Sequence, residues 1–253
     1  MKTSWDYSGL AESYVSRPQY SERLIRAIFQ IASMKPGLAA CDVGAGVGHL
    51  THHHVANGHD TVAVEPNDDM RRVGQQQLPQ TATLKWMEGT GESTGQANNS
   101  FDLVTFGSSF NVCDRGTALV ETSRILKPSG WFACLWNHRD LTDPIQGSIE
   151  KIITDRVPEY SYGSRREDQS QVIRASQKFS EPIFMSSRVE QKVPYSDFLT
   201  AWKSHATLKR QSGTHFEQII SEIEGLLKRN ELETSVDYLL VPYTTTAWVA
   251  QLL

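Results

Sequence analysis

Three closely spaced glycines, at positions 44, 46 and 48, follow an apolar segment at residues 38–43 and precede a helical pattern at residues 50–55. Glycine permits a tight turn there and lets a ligand approach backbone N–H groups at the positive end of the helix. Glu65 comes directly after the next apolar segment. A carboxylate in this place can accept hydrogen bonds from both hydroxyls of a ribose, so the two features predict a site for an adenosine-like ligand.

The glycine spacing distinguishes between two classes of cofactor. In the dinucleotide-binding pattern GxGxxG the third glycine would fall at position 49, but this chain has His49 there and a glycine one residue earlier. Asp42 also occupies a strand position at which dinucleotide-binding proteins usually have an apolar residue. A carboxylate at that position would attract an amino group or a sulfonium. A reductase that uses NAD or NADP is therefore the less favoured alternative.

Strand and helix patterns alternate through the first half of the chain, as expected for parallel strands connected by helices. Predicted strands occupy residues 38–43, 61–64, 82–86, 101–106 and 131–136, and predicted helices residues 50–55, 68–77 and 117–126. Two later strands, within residues 187–193 and 236–253, would extend the sheet. The sequence therefore predicts a doubly wound, Rossmann-like α/β fold, in which a mostly parallel seven-stranded sheet has an antiparallel last strand and helices on both faces.

The length of the chain is consistent with a single domain over residues 1–253. Residues 1–35 are predicted to form an N-terminal helical cap, and residues 36–140 the core that binds the cofactor. Residues 141–182 combine a predicted helix at 143–157 with a mobile polar loop and are a candidate lid over the substrate. Residues 183–253 complete the sheet and include helical patterns at 196–208 and 214–229.

Composition excludes several classes of protein. With 25 Lys and Arg, 29 Asp and Glu and a formal net charge of −4, the chain lacks the basic surface that duplex nucleic acid requires. Its 39% hydrophobic content supports a packed core and excludes disorder over the whole chain. No segment has the roughly 18 consecutive apolar residues of a membrane span, and the N-terminus lacks the apolar part of a signal peptide. We therefore expect a cytoplasmic protein that contacts neither nucleic acid nor membrane.

Neither the cysteines nor the histidines form a recognisable metal site. The chain has three cysteines, Cys41, Cys113 and Cys134. Their odd number and the absence of a CxxC pair disfavour both a disulfide framework and a zinc site. The run of three histidines at residues 52–54 would point in directions about 100° apart on a helix, so these side chains cannot converge on one ion. We expect no metal and interpret the run as a solvated helix face.

Four motifs occur in the order typical of one known family. They are Asp42 to Gly48, Glu65-Pro66-Asn67, Glu88-Gly89-Thr90-Gly91-Glu92 and Leu126-Lys127-Pro128-Ser129-Gly130. Over roughly residues 7–140 the chain resembles the class I S-adenosylmethionine-dependent methyltransferases. The segment Ala11-Glu12-Ser13-Tyr14-Val15-Ser16-Arg17-Pro18-Gln19-Tyr20 is similar to that of the small-molecule branch that includes trans-aconitate methyltransferase.

The resemblance implies an enzyme that transfers a methyl group from S-adenosyl-L-methionine to an O, N or C atom of a small-molecule acceptor. The transfer would be an in-line displacement that leaves S-adenosyl-L-homocysteine. The resemblance also implies which residues contact the cofactor. They are Gly44, Ala45, Gly46, Gly107 and Ser108 along its methionine part, Asp42 at its ammonium, Glu65 at its ribose, and Asn67, Met70, Gly91 and Glu92 around its adenine. Tyr14 and Arg17 would close the site from the N-terminal helix, with Arg17 towards the cofactor carboxylate, and Pro66 is a further cofactor contact.

The residues after the fourth and fifth predicted strands are candidates for contact with the acceptor, because ligands bind at the C-terminal ends of parallel strands. They are Ser109, Phe110, Asn111, Asn137 and His138. His138 is the candidate general base, since imidazole titrates near neutral pH, although its ring could simply bond to Asp140 or to the backbone. In the related enzymes the position of Asn111 is often a histidine, so the acceptor stays open.

Other features bear on the acceptor without identifying it. Arg165 and Arg166 belong to a predicted loop, and a lid that carried them could select an anionic acceptor. Four aromatic residues, Tyr160, Tyr162, Phe179 and Trp202, could line an apolar cavity, although single aromatic residues more often serve in packing. A catalytically silent protein that binds the cofactor in a regulatory or scaffold role is the alternative from another class. As an enzyme, the chain is expected to act as a monomer or a homodimer.

Overall fold

The computed structural model describes residue 9 and residues 11–253, so the beginning of the predicted N-terminal cap lies outside the described residues. Within the described chain, seven strands form one sheet. They are β1 Ala39–Val43, β2 Asp60–Val64, β3 Leu84–Met87, β4 Phe101–Gly107, β5 Leu126–Arg139, β6 Ile183–Pro194 and β7 Tyr238–Gln251. Their order across the sheet is β3-β2-β1-β4-β5-β7-β6.

Strands β1 to β5 are parallel, whereas β7 is antiparallel to both of its neighbours, β5 and β6. The predicted fold class, a mostly parallel sheet with an antiparallel last strand, is confirmed. The connections leave the sheet in opposite directions from β1 and β4, which places a crevice at the C-terminal ends of these strands. Both strands are almost wholly buried, and this explains their nearly continuous apolar sequence.

Ten α-helices accompany the sheet in the described part of the chain. They are α1 Ala11–Tyr14, α2 Glu22–Ile31, α3 His49–Ala56, α4 Asp68–Gln77, α5 Arg115–Ile125, α6 Pro144–Arg156, α7 Ser170–Ala175, α8 Tyr195–Lys203, α9 Ala206–Ser212 and α10 Phe216–Thr234. Leu24 of α2 packs on one face of the sheet with Leu103, and Leu119 of α5 packs on the other face with Phe132. No helix among residues 9 and 11–253 combines the length and apolar content that crossing a bilayer requires.

The region after residue 140 is more regular than predicted. The side chain of Asp143 accepts a hydrogen bond from the N–H of Gln146 (2.9 Å) and caps α6, whose bounds agree with the prediction. The polar segment 158–182, predicted as a mobile loop, instead contains a 3₁₀ turn at Gly163–Arg166 followed by α7. The 3₁₀ turn lies against the segment Phe110–Val112 at the end of β4.

The C-terminal helices form a second layer with its own apolar core. Ile153 of α6, Trp202 of α8 and Ile219 of α10 pack against the first half of β7, which extends beyond β5 and pairs there with β6 alone. The single helix predicted over residues 196–208 is two helices, α8 and α9. The break occurs because the His205 ring caps α9 by accepting a hydrogen bond from a backbone N–H in its first turn.

His54 on α3 is fully buried, so the interpretation of the histidine run as a solvated face was wrong for this residue. Its ring lies 5.0 Å from that of Phe29, and its two nitrogens lie 3.0 Å from the Thr105 hydroxyl and 3.2 Å from Nδ1 of His59. Burial, reinforced by the nearby His59 and His53, lowers the pKa of His54 to about 3. The buried ring is therefore neutral at physiological pH.

We expect the free energy of unfolding to fall as the pH is lowered from 6.5 towards 3. In the unfolded chain His54 takes up a proton near its ordinary pKa of 6.5, whereas the folded protein resists protonation until about pH 3. Acid therefore favours the unfolded state, by up to about 1.4 kcal/mol per pH unit from this one group.

Denaturant unfolding at pH 7.5, 6 and 5 measures this effect in the wild type, in His54→Gln and in the exposed control His52→Gln. The pH dependence should become shallower in His54→Gln and stay unchanged in His52→Gln. An equal dependence in all three proteins would contradict the assignment.

Candidate active site

A cavity of about 580 Å³ opens at the C-terminal ends of β1, β2, β4 and β5. The structure brings all but one of the predicted site residues to its walls. They are Tyr14, Arg17, Asp42, Gly44, Ala45, Gly46, Glu65, Pro66, Asn67, Met70, Gly91, Glu92, Gly107, Ser108, Ser109, Asn111, Asn137 and His138. The exception is Phe110, which is fully buried between the rings of Phe106 and Phe132 and does not line the cavity. Its predicted contact with a substrate is therefore not supported.

The turn after β1 needs glycine for two different reasons. At Gly44, where φ is +68°, a Cβ atom would lie 2.4 Å from Cβ of Ser109, whose hydroxyl donates a hydrogen bond to the carbonyl of Val43. The turn and the end of β4 are thus packed directly against each other. At Gly46, where φ is +58°, a Cβ atom would meet nothing within 4 Å. Because Gly46 lines the cavity, its backbone is open to a ligand.

The Glu65 carboxylate connects this turn to the end of β2. One oxygen accepts a hydrogen bond from the N–H of Gly46 and the other from the N–H of Asn67, both at 2.8 Å. The side chain is 6% exposed. Burial raises the pKa of Glu65, against the opposing effect of the two N–H groups and of Arg71. The carboxylate is held in one orientation at the cavity wall and has lone pairs left for further donors.

Asp42 is buried at the end of β1 and belongs to a hydrogen-bonded chain that the sequence did not predict. Its carboxyl accepts from the Thr51 hydroxyl (2.7 Å) and from the Thr105 hydroxyl (3.4 Å), and Thr105 leads to His54 and His59. Burial raises the pKa of Asp42 to about 7, although the two hydroxyls oppose the shift. A cation bound beside Asp42 would favour its charged form.

The part of the cavity near α4 has an apolar floor. Met70 is buried there, and the Asn67 side chain caps α4 by accepting from the Met70 N–H (3.0 Å). A Cβ atom at Gly91 would collide with the sulfur of Cys113 at 2.4 Å, so this wall is closely packed. The Glu92 carboxylate accepts a hydrogen bond from the N–H of the residue that caps α5. Part of the hydrogen-bonding capacity of Glu92 is therefore used within the protein.

Two predicted acceptor contacts have structural partners. The Asn137 amide donates to the carbonyls of Pro18 and Gln19, and its oxygen accepts from the Thr245 hydroxyl at 2.6 Å. Asn137 thus ties the segment after α1 to the sheet. The Asn111 oxygen accepts a hydrogen bond from the indole of Trp136 at 2.8 Å.

His138 lies at the end of β5, with Nε2 3.0 Å from the Thr246 hydroxyl. Burial, together with the charges of Arg166 and Arg165, lowers the pKa of His138 to about 4. The ring is therefore neutral near pH 7 and available as a hydrogen-bonding group. A pKa this far below 7 makes it a weaker base than the sequence suggested.

Sequence reasoning missed several residues of the wall on the side away from Glu65. They include His205, Arg210 and Tyr243, whereas Tyr162, Arg165, Arg166 and Trp202 had been noted only as possible contributors. Tyr160 and Phe179, noted with these aromatic residues, do not line the cavity. Arg139 belongs to the segment after the fifth predicted strand that was a candidate for contact with the acceptor. The others come from segments after residue 160 that are remote in sequence from the motifs and are brought over the cavity by the second layer of helices.

Comparisons with known proteins agree with this geometry. A family model described as "Methyltransferase domain" matches residues 41–134. An uncharacterized methyltransferase of Mycobacterium tuberculosis is 36% identical over 124 residues, which cover 49% of this chain and 48% of the relative. The ubiquinone/menaquinone biosynthesis C-methyltransferase UbiE of Shewanella oneidensis is 29% identical over 112 residues, which cover 42% of this chain and 45% of that protein. The matches thus span about half the length of these relatives.

Solved structures share the fold over nearly the whole chain. A protein of Anaeromyxobacter dehalogenans assigned as a type II methyltransferase superposes with a TM-score of 0.62 at 17% identity, covering 93% of this chain and 97% of that one. Phosphoethanolamine N-methyltransferase 2 of Haemonchus contortus, in complex with S-adenosyl-L-methionine, gives a TM-score of 0.57 at 14% identity, covering 99% of this chain and 58% of that one. At these identities the structures show the fold alone.

The matched segment begins within β1, contains β2, β3 and β4 with the glycine turn and Glu65, and ends within β5. It therefore includes most of the cavity wall on the Glu65 side. Over residues 41–134, this chain is therefore similar to the proteins that share the methyltransferase domain, and its sheet order is that of the solved methyltransferase structures.

Proposed function

We propose that this chain binds S-adenosyl-L-methionine against the ends of β1 and β2 and transfers its methyl group to an O, N or C atom of a small molecule. One observation carries the proposal. The Glu65 carboxylate and the exposed backbone of Gly46 face the same cavity, held together by their own hydrogen bond. The wall of the same cavity also includes His138 at the end of β5 and the turn Gly163–Arg166. We call the part lined by Glu65 and Gly46 the first chamber and the part lined by His138 and this turn the second chamber, where an acceptor can bind.

The residues in the first chamber fit the chemical groups of this cofactor. The oriented Glu65 carboxylate suits two ribose hydroxyls, and Asp42 suits an ammonium. The buried Met70 and the closely packed Gly91 suit the flat adenine. Nε of Arg17 is buried and has no hydrogen-bond partner among the residues that the structure describes, and Arg17, at the cavity wall, suits a carboxylate.

When bound, S-adenosyl-L-methionine supplies a methyl group that a nucleophile can displace from a sulfonium. The protein's own contribution is position and exclusion of water, since such a displacement requires an aligned approach more than a strong acid or base. The 3₁₀ turn Gly163–Arg166 encloses the second chamber, and we propose that the segment 141–182 acts as its cover. The neutral His138 ring, fixed by Thr246, would orient the acceptor by a hydrogen bond.

We expect S-adenosyl-L-homocysteine to bind to the purified protein with a stoichiometry of one, and NADH not to bind. Glu65→Gln should weaken this binding by about 1.5–3 kcal/mol, because an amide cannot replace both carboxylate oxygens as acceptors. Titration calorimetry measures both effects, with the exposed Glu217→Gln on α10 as the matched control. Equal affinity in Glu65→Gln and Glu217→Gln would contradict the role of Glu65.

A second expectation concerns the exposed backbone of the glycine turn. Gly46→Ala and Gly95→Ala both place a methyl group at a positive φ, +58° and +71°, with no protein atom within 4 Å. Their costs in folding stability should therefore be similar, about 1 kcal/mol each. Only Gly46→Ala should also lose affinity for S-adenosyl-L-homocysteine, since only Gly46 lines the cavity.

Thermal unfolding reports the stability of the two variants, and calorimetry reports their affinity. Similar affinity in both variants would show that the ligand does not approach the turn.

A further inference from the structure

The second chamber of the cavity contains an unusual concentration of guanidinium groups. Arg139, Arg165 and Arg166, here called the arginine cluster, all line it. Their guanidinium carbons lie 5.9, 5.1 and 3.7 Å from the centre of one ring, that of Tyr162. Three positive charges from two distant segments thus converge on a single point of the wall. Arg17 lines the same cavity, and its charge contributes to lowering the pKa of Arg165.

Protein carboxylates compensate only a small part of this charge. Among the described residues, the only ion pair of the cluster joins Arg139 to Glu150, and Tyr162 donates its hydroxyl to the same carboxylate. Nη1 of Arg139 is buried and has no hydrogen-bond partner in the described chain. Burial, with the charges of Arg17 and Arg166 as smaller contributions, lowers the pKa of Arg165.

Such an arrangement is costly in the absence of a negative partner, because the half-buried Arg139 and Arg165 lose part of their hydration and are repelled by each other and by the exposed Arg166. The nearby histidines do not change this positive charge. Burial and the charges of Arg17, Arg165 and Arg139 lower the pKa of His205, and His138 is likewise neutral near pH 7. Salt bridges elsewhere on this surface, such as Arg115 with Glu167, are separate from the cluster.

Aromatic side chains form one wall of the chamber. Phe198 and Trp202 from α8 and Tyr243 from β7 are all buried and line it. Arg139 lies over the Trp202 ring at 4.7 Å, so the cluster borders directly on this apolar wall. A ligand that fits has a negative group at one end and an apolar body at the other.

We infer that the methyl acceptor is an organic oxyanion, a carboxylate or a phosphate ester with an apolar body, whose charged group binds to the arginine cluster. This inference rests on the proposed function and names its substrate class. Arg139 and Arg165 hold the oxyanion through charge-assisted hydrogen bonds, and Nη1 of Arg139 is one of the donors. The apolar wall holds the body of the acceptor, and the acceptor spans the chamber.

The test uses full-length protein saturated with S-adenosyl-L-homocysteine at constant ionic strength. Benzoate, trans-cinnamate and phenyl phosphate are titrated as anionic probes, with benzamide and cinnamamide as neutral counterparts of the two carboxylates. We expect at least one of the three anions to bind. A carboxylate that binds should do so at least about tenfold more tightly than its own amide, and phenyl phosphate, if it binds, at least about tenfold more tightly than either amide. This difference in affinity is typical of one charge-assisted hydrogen bond. The carboxylate and phosphate probes distinguish between the two sources of the oxyanion.

Three variants assign the effect to the cluster. Arg139→Gln and Arg165→Gln should each weaken binding of the anion by about tenfold or more. The exposed Arg23→Gln on α2 removes the same charge far from the chamber and should not alter it. Arg165→Gln breaks no ion pair, so it tests the cluster even if Arg139→Gln, which leaves Glu150 without its partner, fails to fold.

Three results would overturn the inference. They are equal affinity for the anions and the amides, no binding of any anion, and an affinity for the anion that is unchanged in Arg165→Gln. Uptake of S-adenosyl-L-homocysteine with no uptake of anions contradicts this inference alone. Uptake of anions without S-adenosyl-L-homocysteine would instead contradict the proposed function.

Discussion

The hydrogen bonds that the Glu65 carboxylate accepts from the backbone of Gly46 and Asn67 are the contacts on which the rest of the site depends. They join the end of β2 to the turn after β1 and to the beginning of α4, and they add to the backbone hydrogen bonds that Gly44 and Ala45 donate to the carbonyl of Val64. The same carboxylate thereby becomes a fixed acceptor at the cavity wall. Gly44 tightens the arrangement from the other side, because the turn packs on Ser109 with no space for a side chain.

Charge divides the cavity into two halves. Asp42, Glu65 and Glu92 line the half at the ends of β1 and β2, and the arginine cluster lines the half covered by residues 161–166. A cationic, nucleoside-bearing ligand suits the first half and an anionic one the second. The two ligands would therefore be drawn to separate halves of one cavity, which is the arrangement that transfer between them requires.

The sheet and its first helices could be predicted from sequence because local patterns determine them. Residues 61–64 and 101–106 are short apolar runs between turn signals, and the observed strands differ from them by one residue. The residues on the Glu65 side could also be predicted, since the turn and the end of β2 are short motifs with a fixed relation to the strands. The Thr51 and Thr105 contacts to Asp42 had no such signal, because threonine is common in both helices and strands.

The acceptor half was harder to predict for a physical reason. Its walls come from α8, from β7 and from the 3₁₀ turn Gly163–Arg166, which only tertiary packing brings together. Phe110 shows the converse error, because a residue just after a strand can turn its side chain into the core. Asn137 does line the cavity, but its amide donates to the segment after α1 and its oxygen accepts from Thr245, contacts that no sequence pattern indicates.

The most direct measurement of the central claim is a crystal structure of the protein grown with S-adenosyl-L-homocysteine. We predict both ribose hydroxyls on the Glu65 carboxylate, the amino acid portion along Gly44 and Gly46, and the sulfur directed towards the chamber that holds the arginine cluster. A nucleoside bound elsewhere, or one in this cavity whose ribose does not contact Glu65, would contradict the account.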